Sequence, residues 1–127
     1  MQFHDFHLDG YEVLHKGKTI VLHLVYDYPE VEKSESNIKF TDVTLYNFIH
    51  TAGAIITDIT ECSVAEFINE YGDQLIEWKR LYGVELFWKG TLEDYASKLQ
   101  AEGFRVWYID SAIGFSGFIV AKDIANA

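Results

Sequence analysis

Residues 19–27, TIVLHLVYD, set Ile20, Leu22, Leu24 and Tyr26 in alternation with Val21, His23 and Val25. Period two with β-branched enrichment predicts a strand. YEVLHK (11–16) precedes it, and the short Gly17-Lys18 connection predicts a hairpin. Residues 27–36, DYPEVEKSES, carry four acids and the single proline, Pro29, and read as a loop. In NIKFTDVTLYNFI, Ile38 and Phe40 share one face while Val43 and Leu45 fall on the other parity. The switch at Thr41-Asp42 predicts a bulge or a turn. AIITDITE (54–61) reads as a further strand, apolar on both faces at its start.

The period then changes. Ser63 and Glu66 have capping-box spacing, and Val64, Phe67, Ile68, Tyr71, Leu75, Trp78 and Tyr82 follow at steps of three and four, which is helical. Gly72 interrupts them at about 1 kcal/mol relative to alanine. The pattern fits two short helices joined at Gly72-Asp73, or a strand over LIEWKRLY, with Gly83 closing the region. VELFW (84–88) reads as a strand. Thr91 caps a clearer helix with Leu92, Tyr95, Ala96 and Leu99 on one face and Gly103 at its end. FRVWYI (104–109) and GFIVA (117–121) flank a turn and are expected to pair as a hairpin, with Ser116 in the turn. The sum is one α+β domain over 1–127: a mostly antiparallel sheet of about six to seven strands, with about two helices in the second half.

Length and composition support that reading. A chain of 127 residues suits one domain and buries roughly two-thirds of its unfolded surface. The formal charge of −10 disfavours nucleic acid and anionic membranes, which need basic surface, and favours a basic protein partner. No run of 18 apolar residues and no secretory signal pattern is visible, and the lone Cys62 forms no internal disulfide, so the expected compartment is the cytoplasm.

Candidate chemistry is sparse. In FHDFHLDG (3–10), regular strand geometry puts Asp5, His7 and Asp9 on one side and His4, Phe6 and Leu8 on the other. Asp5, His7 and Asp9 could thus place three ligands near one cation, and with the adjacent His4 the cluster His4, Asp5, His7 and Asp9 is the candidate metal site. No further His or Cys cluster completes the set, so no cofactor or metal is expected. The alternative is an aspartate tied to backbone or to a nearby histidine. GFSGF (114–118) misses the nucleophile elbow because Phe118 replaces its second glycine. Cys62 stands before a helix start but beside Glu61, a poor setting for a thiolate. Glu66, Glu70, Asp73 and Glu77 fall on one helix face, and Tyr28, Glu30, Glu32 and Glu35 cluster in the loop. Together they are the candidate face for a basic partner. Tyr26, Trp78, Trp88, Trp107 and Tyr108 are further aromatics, too many to bury with every polar atom paired.

The run FHDFHL, TIVLHL, IKFTDV, AIITDI resembles the small immunity proteins of bacterial polymorphic toxin systems, particularly the immunity protein 50-like group. The matching residues are Phe3, His4 and Asp5 in a Phe-His-Asp strand, then Ile38, Phe40 and Val43 in an Ile/Leu-x-Phe-x-x-Val strand. The resemblance spans roughly 3–60. It implies a non-enzymatic cytoplasmic protein that binds and blocks a basic toxin domain. It implies no binding residues, since these families share no binding motif. Two other classes stand beside it: a small metal- or ligand-dependent enzyme using His4, Asp5 and His7, and an oligomeric accessory domain whose exposed aromatics form a homodimer face.

Overall fold

The computed structural model describes residues 2–82 and 89–127. Six antiparallel strands form a curled half-barrel sheet, and two helices lie in the second half. The elements are β1 (Gln2–Leu14), β2 (Thr19–Tyr26), β3 (Ser34–Thr41), β4 (Leu45–Cys62), α1 (Val64–Tyr82), α2 (Leu92–Ala101), β5 (Arg105–Ala121) and β6 (Asp123–Asn126). The sheet order is β5-β4-β1-β2-β3-β6, so its two edges are successive pieces of chain, separated only by Lys122.

The β1–β2 hairpin forms where alternation and glycine place it, with His15, Lys16 and Gly17 all left-handed at φ 54°, 59° and 88°. Its first arm reaches back to Gln2, well beyond YEVLHK. Ile20, Leu22 and Leu24 point into the curl and meet Ile38 and Phe40 of β3. The parity switch after β3 is a turn, with Asp42 at φ 53°.

β4 and β5 pair from Leu45↔Val120 to Cys62↔Val106 and separate two cores. Trp107, Ile109 and Ile119 face the inside of the curl. Val106, Phe118 and Val120 face the helices, where Phe67, Leu75, Tyr95 and Leu99 cover them. The expected hairpin between 104–109 and 117–121 does not form. Both segments belong to the one strand β5, and their partner is β4. Ser116 is accordingly a strand residue opposite Ile49, and Gly114 at φ 75° marks an irregularity within the strand.

α1 is a single helix through Gly72, replacing both the two-helix reading and the LIEWKRLY strand. The glycine has a packing reason: a Cβ there would lie 3.0 Å from Leu92 Cδ1, so α2 occupies the space. At the α1 start the Glu66 amide donates to Ser63 Oγ at 3.0 Å. The reciprocal capping box belongs to α2, between Thr91 and Asp94. Gly103 at φ 81° ends α2, and the Phe104 amide returns to the Leu99 carbonyl at 2.9 Å. The expected Gly83 cap, the Val84–Trp88 strand and Trp88 lie outside the described residues.

Candidate functional site

The helices pack on β4 and β5, while the outward face of β1–β2–β3 keeps Glu12, Glu35 and Lys39 exposed. His23 sits at the centre of that face. It has the opposite parity to Leu22 and Leu24, so packing those leucines inward turns the imidazole outward. The strand pairing sets His23 opposite Asn37 of β3 and Gly10 of β1. Its Nε2 lies 2.8 Å from Glu12 Oε2 and its Nδ1 lies 2.8 Å from Asn37 Oδ1. A ring carrying hydrogen on both nitrogens can donate to both oxygens at once, so these partners favour the imidazolium over the neutral ring. The Asn37 and Glu12 hydrogen bonds, with Coulombic help from Glu12 and Asp9, raise the His23 pKa above its ordinary value. Both ring nitrogens are engaged by neighbouring side chains in this arrangement. Asp9 and Glu35 join His23 and Asn37 around a depression of about 150 Å³.

The FHDFHLDG cluster does not form the regular row its spacing suggested. Asp5 is left-handed at φ 62°, and the pairing slips between Gln2 and Phe6 and again between Leu8 and Gly10. The first slip lets Phe3, Phe6 and Leu8 all reach the inner core despite their mixed parity. Asp5, His7 and Asp9 therefore do not form one ligand row. His4 and Asp5 are exposed, His7 packs on Tyr28 at 5.3 Å between ring centroids, and Asp9 turns toward His23. The expected tie of the Asp5 carboxylate to backbone or to a histidine is not what the structure shows: Asp5 is exposed, and the contact there is main-chain, the Tyr28 hydroxyl donating to the Asp5 carbonyl at 2.7 Å. Among the described residues no group of three or more His, Cys, Asp or Glu is arranged to hold a metal ion.

The candidate acidic face divides into two. Tyr28, Glu30, Glu32 and Glu35 lie where β2 passes into β3, adjoining the His23 group through Glu35. Glu66, Glu70, Asp73 and Glu77 lie on α1, which packs over the β4–β5 layer. Glu77 is held by Arg80, with Arg80 Nε 3.2 Å from Glu77 Oε2. Cys62 is half-buried, and that burial, reinforced by Glu66 and Glu70, raises its thiol pKa although the neighbouring Tyr108 hydroxyl opposes the rise. Of the other aromatics, Trp107 is buried in the inner core, while Tyr26, Trp78 and Tyr108 are half-buried.

Glu12, His23 and Asn37 did not stand out in the sequence because they come from three strands. The β1–β2 hairpin was the available signal: extending its pairing through Gly17-Lys18 brings Glu12 and His23 to neighbouring positions. No family model, no curated protein and no solved structure matches this chain.

Proposed function

We propose that this chain is a non-enzymatic binding protein whose β1–β2–β3 face takes a basic protein partner. The observation that carries the reading is the gathering of Asp9, Glu12 and Glu35 around His23 on an exposed sheet face. In a chain of net charge −10, long-range attraction favours a basic partner, and Asp9, Glu12 and Glu35 supply carboxylates on this face beside His23 and Lys39. Tyr28 and His7 supply aromatic surface near its edge. The resemblance of residues 3–60 to immunity proteins supports, as part of this proposal, a basic toxin domain in the cytoplasm as the partner.

The test uses octalysine as a basic probe and follows backbone amide shifts by NMR. Shifts are expected at Asp9, Glu12, His23 and Glu35, with weaker binding as the Debye length falls from about 30 Å to 8 Å. The triple charge reversal D9K/E12K/E35K is expected to abolish them, and E66K/E70K/D73K on α1 to leave them in place. Shifts confined to α1, or indifferent to the first triple reversal, would refute the assignment. A pull-down from the native host with the same variants then identifies the partner by mass spectrometry.

A further inference from the structure

A second surface, of opposite charge, lies where β1 and β4 part. These strands pair at Gln2, Phe6 and His7. Among the described residues, β1 from Gly10 to Leu14 pairs only with β2, and β4 from Leu45 to His50 pairs only with β5. The split begins at an irregularity in β4, which takes five steps from His50 to Ile55 while β5 takes two between their partners. Tyr11 is wedged in the opening, its ring 5.0 Å from Phe48 and 5.8 Å from His50. Beyond it the gap becomes a cleft of about 660 Å³, walled by Val13, Val43 and Tyr46 and rimmed by Lys16 and Lys18.

Three properties coincide there. Strand backbone without a lateral partner offers N–H and C=O groups in a row, the usual template for an added strand. Tyr11, Val13 and Tyr46 remain 37%, 38% and 37% exposed, so apolar surface lies beside that backbone. The charged side chains lining the cleft are lysines, in a chain where acids outnumber Lys and Arg twenty to ten. The volume falls in the range of ligand clefts, roughly 300–1,000 Å³. Gly10–Leu14 offers roughly 17 Å of strand at about 3.4 Å per residue.

We propose that this cleft takes an extended peptide of alternating acidic and apolar residues, which hydrogen-bonds along the free edge of β1 and presents carboxylates to Lys16 and Lys18. Main-chain pairing supplies affinity, and the wall formed by Val13 and Tyr46 receives alternate apolar side chains. The same lysines repel a basic strand and so set the sign of the partner. The surface is independent of the His23 face, and neither proposal depends on the other.

The probe is a fluorescein-labelled hexapeptide, Glu-Val-Glu-Val-Glu-Val, titrated by anisotropy. Saturable binding is expected, weakened at least tenfold in K16E/K18E, whose folding is checked by circular dichroism. In that variant the counterpart Lys-Val-Lys-Val-Lys-Val is expected to bind instead. Methylating alternate peptide nitrogens on the pairing edge is expected to abolish binding with the charges intact. Absence of saturation, equal affinity in K16E/K18E, or indifference to N-methylation would each overturn the proposal. So would peptide-free self-association in the ultracentrifuge that K16E/K18E removes. The exposed Glu30-Val31-Glu32 of a second copy would then be the occupant.

Discussion

Replacing Gly117 by alanine tests the close contact on which the β4–β5 layer depends. Gly117 lies opposite Phe48, and a Cβ there would meet the Asn47 carbonyl oxygen and Phe48 Cδ1 at 2.7 Å and Phe115 Cε1 at 3.0 Å. The Asn47 oxygen is backbone and cannot retreat without shifting β4 against β5. Overpacking of this kind costs about 1–3 kcal/mol. Alanine also restricts the unfolded chain, which returns about 0.4–1 kcal/mol. With a backbone atom as a closest contact the cost is taken near the middle of its range, about 2 kcal/mol, and the net loss expected is about 1–2 kcal/mol. At about 2.1 cal/mol/K per residue, a chain of 127 residues has an unfolding entropy near 0.27 kcal/mol/K, so Tm should fall by about 4–8 °C. Gly10→Ala is the control, since a Cβ there meets nothing within 4 Å and φ is not positive. It is expected to leave Tm unchanged or raise it. Both variants are compared by thermal and urea unfolding. A G117A protein as stable as the wild type would refute the packing argument.

Four further outcomes are expected. The His23 pKa is raised above 6.5, so its stabilising contribution is complete below that pH and fades as pH rises through the folded value. Melts of wild type and His23→Gln should converge toward alkaline pH, Glu12→Gln should lower the His23 midpoint seen by NMR, and a pH-independent gap would count against this linkage. Cys62, raised by burial, should react with iodoacetamide more slowly in the folded protein than in urea at the same pH; equal rates would contradict its environment. Exchanging the exposed Glu30, Glu32 and Glu35 for glutamine together should move stability by less than about 0.5 kcal/mol each; a larger loss would make those acids structural. EDTA should leave the melt of untagged protein unchanged, whereas stoichiometric metal with a chelation-sensitive melt would restore the FHDFHLDG cluster as a site.

Local signals were readable, and distant ones were not. Alternation over 19–27 and the glycine after Lys16 specify the β1–β2 hairpin because the interacting residues are neighbours in the chain. The parity switch at Thr41-Asp42 was visible for the same reason. Residues 110–116 resembled a turn by composition, yet they pair with β4 as part of β5. A Cβ on Gly114 would run into Thr51 Oγ1 and lie 3.4 Å from Ala54 Cα, and φ there is 75°, so its glycine serves a crowded, left-handed point within a strand rather than a chain reversal. Gly72 likewise looked like a helix break until α2 was in place beside it. The left-handed Asp5 upset a face assignment that assumed an unbroken strand. Much of the loop half of the candidate acidic face was legible because charge declares itself locally. Its union with His23 required three strands in the correct pairing.

The passage from β5 to β6 through Lys122 has a consequence for how the molecule is made. One stretch, residues 105–126, is paired with β4 along its first part and with β3 along its last. Both partners precede it in the chain, so a ribosome-bound precursor ending before residue 105 has no strand in place at either margin of its sheet. Neither margin can be satisfied early by local pairing. The chain must bridge wide sequence separations to assemble, which slows folding relative to a helical bundle of equal size. During that interval its exposed strands are open to pairing with other nascent chains. Chaperone demand should therefore concentrate before residues 105–126 have emerged, and ease once Lys122 carries the backbone across from one margin to the other.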